Sequence, residues 1–301
     1  MASVQSESIK KLYGSWLTAM TDKPDMELDE IRALFEHWGD ITGEPGQVDY
    51  VEVDAGGVEA MWAIPKGCAE DRVALCTHGG GYVTGSMYTH RKLFGHIAKE
   101  VGCKALILHY RRAPEHTHPA QVNDAVTAYE WLLKEGYKSE HIFTTGDSAG
   151  GALATSVLLG IRNKGLALPV GAVPLSPWYD PEGTGNSVQS NAEKDALVKK
   201  EVLLNMAATF LGDASPKDPL ANLLQADLNG LPPIYIQAGG DETLLDDSVR
   251  FGELAKKAGV DCQVEIFPEM QHVFHFMAGE APEADEAITK IAKWVKPKLG
   301  L

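Results

Sequence analysis

Hydrophobic and polar positions change period along this chain. Ile9, Leu12, Tyr13, Trp16, Leu17 and Met20 recur at helical spacing, and so do Ile31, Leu34, Phe35 and Trp38. Pro24 falls between the two sets, so the spacing predicts helix, break, helix. From residue 48 the period shortens to two. Residues 48–53 alternate as a strand, and 58–64 fold back on them across Gly56-Gly57, a hairpin signal. Short apolar runs follow at 73–76, 105–108, 142–145, 170–175, 234–238 and 262–267. Helical patterns at 88–101, 119–135, 149–163, 244–258 and 283–295 lie between them.

Strands alternating with helices of this length predict βαβ units. They imply an α/β fold with a mostly parallel central sheet flanked by helices on both faces. Residues 180–213 break the rhythm: a loop, then a helix at 199–211, inserted after the sixth main strand. With the N-terminal helices this insert is expected to form a helical cap over the carboxyl ends of the strands, where open α/β sheets bind ligands. The expected organisation is a cap segment at 1–45 and a main domain at 46–301 carrying the cap insert.

The 301 residues are ample for one large domain and its core. Asp and Glu number 42 against 27 Lys and Arg, a formal charge of −15. That balance argues against nucleic acid or an anionic membrane as partner, since both need a basic face. Cys68, Cys76, Cys103 and Cys262 form no C-x-x-C pair, and thiols of a cytoplasmic protein are the simpler reading. The first eleven residues are polar, unlike a signal peptide, and no apolar run is long enough to span a membrane.

Two glycine-rich runs narrow the chemistry. Gly146-Asp147-Ser148-Ala149-Gly150 fits G-x-S-x-G, in which a strand-to-helix turn pushes a serine hydroxyl into the open. His78-Gly79-Gly80-Gly81-Tyr82 fits the HGGG loop, whose backbone N–H groups face a developing oxyanion. By composition the second run should arise by accident only on the order of 0.01 times in such a chain. A serine hydroxyl needs a base, and the base needs an acid. In hydrolases with this elbow the order is Ser, acid, His. Only His272 and His275 follow Ser148, and the stretch 240–247 supplies Asp241, Glu242, Asp246 and Asp247.

With these residues in view, the chain resembles the bacterial hormone-sensitive-lipase-like family of α/β-hydrolase carboxylesterases over nearly its whole length. The matching runs are HGGGY at 78–82, Tyr110-Arg111-Arg112-Ala113-Pro114-Glu115 against Y-R-L-A-P-E, the serine run continuing to Gly151, and His272-Val273-Phe274 against H-x-F. The resemblance implies an α/β-hydrolase fold with a helical cap, a carboxylic-ester hydrolase, and no cofactor. It selects His272 over His275. The family's acid motif is D-x-L-x-D-[DE]. Leu244 and Asp246 fix its register, which puts Glu242 where the family usually has Asp, with Asp241 as the alternative acid.

The oxyanion donors are expected to be the N–H groups of Gly80, Gly81 and Ala149. His78, Asp147 and Glu115 are expected to hold loops, with Arg111 as partner to one of the acids. His116 and His118 lack a third ligand, so no metal site is expected. Tyr82, Trp178, Tyr179 and Met206 are candidate pocket residues. The expected function is hydrolysis of small or short-chain acyl esters through an acyl-serine. Lactone hydrolysis and N- or O-deacetylation are the alternatives, and a non-catalytic small-molecule receptor on the same fold is the remote one. The expected partner is the small-molecule ester, with a possible homodimer through the edge strand at 262–267.

Overall fold

One eight-stranded sheet organises the computed structural model, which describes residues 2–301. The strands are β1 (Val48–Asp54), β2 (Glu59–Pro65), β3 (Val73–Thr77), β4 (Lys104–Leu108), β5 (Ile142–Asp147), β6 (Ala172–Leu175), β7 (Ile234–Gly239) and β8 (Cys262–Phe267). Their order is β1-β2-β4-β3-β5-β6-β7-β8. β2 pairs antiparallel with β1 and β4, and every other pairing is parallel. All the strand runs anticipated from apolar patterning are present, each within two residues of its expected limits.

The helices are α1 (Glu7–Asp22), α2 (Leu28–Phe35), α3 (Met87–Val101), α4 (Ala120–Lys134), α5 (Ala149–Asn163), α6 (Ser187–Ser190), α7 (Lys200–Leu211), α8 (Leu245–Lys257) and α9 (Pro282–Leu299). Alternation within β3 shows why the central strands are apolar throughout. Ala74 and Cys76 pack with α3 and α9, while Val73 and Leu75 pack with α4 and α5 on the opposite face. Farther along the sheet, Ile234 and Ile236 meet Phe251 and Ala255 of α8.

Two secondary-structure elements depart from the sequence expectation. The helical spacing through Trp38 continues as a 3-10 run, Glu36–Ile41, instead of α-helix. Gly39 lies so close to the Thr89 carbonyl that any Cβ there would press on it, and the tighter turn lets the chain graze α3. The insert after β6 also contains α6, four residues too short to show a periodicity.

Arg32 fastens α2 to the main domain. Its guanidinium donates to the carbonyls of Val83 (3.0 Å) and Ala113 (3.1 Å) and to both oxygens of Glu115 (2.7 Å each). The same guanidinium holds the Glu115 carboxyl down to about 2. Arg111, expected to pair with Glu115 or Asp147, instead meets Asp124 at 2.6 Å. Asp124 lies in the first turns of α4, where its carboxylate also accepts the Arg111 backbone N–H.

The meeting of β3 with α5 should govern stability. A Cβ at Gly150 would collide with the carbonyl oxygens of Thr77 and His78. Gly150→Ala should therefore cost about 1–3 kcal/mol or more, as overpacking does. Gly14 in α1 has open space around it. Gly14→Ala should instead stabilise by about 0.5–1 kcal/mol through helix propensity. Urea denaturation of both variants checks the opposite signs.

Candidate active site

The elbow is built by contact limits. β5 ends at Asp147, and Ser148 adopts φ 53° and ψ −122° as the residue before α5. That left-handed conformation is costly for serine and is held by the surrounding backbone. Ser148 N–H donates to the Leu175 carbonyl at 2.8 Å. Gly146 and Gly150 flank it because a side chain at either would strike the β3 carbonyl of Thr77.

The loops after β7 and β8 bring two more side chains to that serine. His272 Nε2 lies 2.9 Å from Ser148 Oγ, and His272 Nδ1 lies 2.6 Å from Glu242 Oε2. Ser148 is 8% exposed, His272 1% and Glu242 0%. Oε1 of Glu242 accepts the Gly239 N–H at 2.8 Å, and the nearby Ser176 hydroxyl favours the charged form of the same carboxylate. Asp241 turns the other way, toward solvent, with Lys194 Nζ 3.6 Å from it. Asp246 accepts the Ser187 N–H, and Asp247 accepts those of Tyr179 and Asp180. His275 is buried against Gln237 Oε1 at 3.0 Å. Burial pushes its imidazole down to about 3.

Burial disfavours the charged form of His272. The hydrogen bond and charge of Glu242 outweigh it, with the charges of Asp195 and Asp147 adding to the effect, so the imidazole stands above its ordinary value. Asp195 is itself fully buried. It accepts the N–H groups of Leu197, Val198 and Thr243 and so joins the insert to the Glu242 loop.

The HGGG loop faces this group. Gly79 N–H lies 3.1 Å from both Asp147 Oδ1 and His90 Nε2. Gly80 has φ 103°, a conformation open to glycine. Among the described residues none accepts a hydrogen bond from the N–H of Gly80, Gly81 or Ala149. His78 is wholly buried and stacks on Tyr110 with ring centroids 4.1 Å apart. Burial holds its imidazole well below the usual range.

Gly80, Gly81, Ser148 and His272 border a cavity of about 50 Å³. Its other walls are apolar: Met20, Phe35 and Trp38 from the N-terminal segment, Leu197, Val198, Val202, Leu203 and Met206 from the insert, with Trp178 and Leu244. Trp178 and Met206 are thus at the cavity, and Tyr82 and Tyr179 are not. Tyr82 stacks on Phe210 at 3.9 Å, tucked behind the loop. Tyr179 follows Trp178 and faces the opposite side, where it stacks on Phe251 at 4.3 Å with its hydroxyl 2.9 Å from Thr155. Met20, Phe35 and Trp38 carried a signal in their helical spacing, which also suits plain packing. Leu197, Val198 and Val202 carried none.

A model of the α/β-hydrolase fold family matches residues 74–276. An acetyl-hydrolase of Streptomyces hygroscopicus is 36% identical over 301 residues, covering 100% of this chain and 99% of the relative. An esterase of Acinetobacter venetianus is 35% identical over 218 residues, 72% of each chain. The crystal structure of an esterase from the bacterial hormone-sensitive lipase family superposes with a TM-score of 0.95 at 40% identity, covering 100% of both chains. The chain belongs to the α/β-hydrolase fold family. Within it, the chain is an esterase of the bacterial hormone-sensitive-lipase family.

The electrostatics of the His272–Glu242 pair can be measured directly. His272 should titrate above 6.5 in NMR spectra of the folded protein. In Glu242→Gln only the burial penalty and more distant charges remain, so the midpoint should fall.

Proposed function

We propose that this esterase hydrolyses small, short-chain acyl esters through an acyl-Ser148 intermediate. The observation that carries the reading is the continuous line Ser148–His272–Glu242, with spacings of 2.9 Å and 2.6 Å, facing a cavity of about 50 Å³. Ser148 Oγ attacks the ester carbonyl as His272 Nε2 takes its proton. The carbonyl oxygen gains the negative charge and rests on the N–H groups of Gly80, Gly81 and Ala149. The start of α5 adds a favourable field. His272 returns the proton to the alkoxy oxygen, the C–O bond breaks, and the alcohol leaves. A water molecule, deprotonated by His272, then attacks the acyl carbonyl and releases the acid and Ser148. Glu242 holds the imidazole in the tautomer that keeps Nε2 free to accept, and steadies the imidazolium.

The segments before β1 and after β6 act here as the cap. They close the acyl side of the cavity with Met20, Phe35, Trp38, Leu203 and Met206. Met206 sets the limit, because it packs so close to the HGGG loop that a Cβ on Gly81 would strike its Sδ. The free thiols Cys68, Cys76, Cys103 and Cys262 suit a reducing compartment such as the cytoplasm. Among the described residues no helix is long and apolar enough to cross a membrane. β8 ends the sheet with Val264 and Ile266 half-covered, which suits pairing with a second copy. Sedimentation equilibrium should give a dimer, and Ile266→Lys a monomer.

Turnover of p-nitrophenyl esters should be fastest for acetate to butyrate and fall steeply toward laurate. Ser148→Ala should lower kcat by about 10³-fold or more. Turnover surviving that substitution would overturn the acyl-serine reading. Met206→Ala should shift the optimum to longer acyl chains while leaving acetate turnover within about threefold, since one to a few methylenes of pocket space are worth about 1–3 kcal/mol.

A further inference from the structure

The backbone beside His272 is strained and clamped. Val273 adopts φ 50° and ψ 45°, the left-handed region, although it is β-branched and fully buried. Such a conformation is costly for a β-branched residue and persists only where its surroundings over-determine it. The surroundings here are two hydrogen bonds to one peptide group. The N–H of Val273 donates to Ser176 Oγ at 3.1 Å, and the carbonyl of His272 accepts from Tyr13 Oη at 3.0 Å. Ser176 also lies close enough to the Glu242 carboxylate to favour its charged form, so the N–H side of the clamp sits beside the acid. The carbonyl side is tied to the N-terminal helix α1.

Tyr13 is suited to that task. It is fully buried, and its phenol stands well above its ordinary value chiefly because of burial, so it remains a donor throughout the working pH range. Its oxygen accepts the Trp38 indole N–H at 3.1 Å, which orients its own hydrogen toward His272. Trp38 in turn stacks on Phe276, four residues past His272, with centroids 5.0 Å apart. It also edges His90 at 5.5 Å, and His90 meets the Gly79 N–H of the HGGG loop.

We propose that Tyr13 is a positioning residue for His272. By holding the 272–273 peptide in its left-handed turn, it sets the pivot from which the imidazole reaches both Ser148 and Glu242. The N-terminal helix is thus part of the support of the reaction as well as a wall of the cavity. This role rests on the acyl-serine mechanism above. It differs from simple anchoring of α1, which would alter melting temperature without altering His272.

The test uses Tyr13→Phe, which keeps the ring and deletes only the oxygen. With p-nitrophenyl acetate, kcat should fall about 10-fold to 100-fold, as small misplacements of reacting groups do, while KM stays within about twofold. The His272 midpoint, read by NMR, should move down, because a misaimed ring loses part of its bond to Glu242. Asp195 and Asp147, the other charges that raise His272, do not bond Tyr13, so their influence should carry over to the variant, and buried His275 should likewise stay in place. Trp38→Phe removes the N–H that orients Tyr13 and should lower the same midpoint by a smaller amount. This second variant decides the matter if Tyr13→Phe does not fold. A wild-type kcat and an unmoved His272 midpoint in the folded variant would overturn the role. Ser148→Ala in parallel separates the two readings. Persistent turnover there ends the acyl-serine mechanism, whereas a dead Ser148→Ala beside a fully active Tyr13→Phe ends only the role of Tyr13. The NMR readout does not depend on turnover, so it tests the clamp in either case.

Discussion

The carboxylate of Glu242 has no exposed surface, and a charge sealed from water must be answered by donors or abandoned. Two donors answer it, the Gly239 N–H and the His272 ring, and the nearby Ser176 hydroxyl adds to their effect. Each requirement shapes a different stretch of chain. Gly239 can have no side chain, because a Cβ would strike the Met270 and Gln271 carbonyls in the loop that delivers His272. Ser176 must take a left-handed turn at the end of β6. A second sealed acid, Asp195, is satisfied by backbone N–H groups and brings the insert into register with the Glu242 loop. The site is a set of loops constrained by the desolvation of two carboxylates.

The Ser148–His272–Glu242 line and most of the cavity walls come from different parts of the chain. Ser148, Glu242 and His272 stand at or just beyond the ends of sheet strands, which the crossed packing of helices on both faces makes rigid. The walls come from α1, α2, the 3-10 run and α7, held to the sheet by a few polar fastenings. Arg32 grips Glu115 and two carbonyls. Gln271 accepts from Ala196 N–H and donates to the Lys194 carbonyl, one residue before His272. Leu203 and Met206 can therefore vary in size while the Ser148–His272–Glu242 geometry is kept by other contacts; Trp38, which bonds Tyr13, is the exception among the walls.

Much of this was legible from residue order. Period-two runs and helical spacing placed the strands and main helices, because a sheet covered on both faces demands apolar strands whatever the rest of the chain does. HGGGY, the serine elbow and H-x-F pointed to residues that the fold draws together around Ser148. What stayed hidden depends on direction and distance in space. Trp178 and Tyr179 are adjacent and both aromatic, yet the extended backbone sends one to the cavity and the other to α8. Helical spacing in Trp38 gave no hint that the chain tightens into a 3-10 run to pass α3. The partner of Arg111 could not be read off either, since Asp124 and Glu115 are both near in sequence and only the start of α4 decides between them. Tyr13 and His272 are separated by 259 residues, so nothing local to either announces their bond.

That separation has a bearing on how the molecule comes into being. The Ser148 hydroxyl and the His272 ring lie 124 residues apart, and the helix whose Tyr13 bonds the His272 carbonyl lies far from both in the chain. Contacts so remote close late, because the entropy of the intervening loops must be overcome before they give anything back. During synthesis Ser148 emerges long before His272. A nascent chain that has assembled β1 to β7 has no imidazole beside Ser148, and the line Ser148–His272–Glu242 is complete only once the residues beyond β8 have emerged.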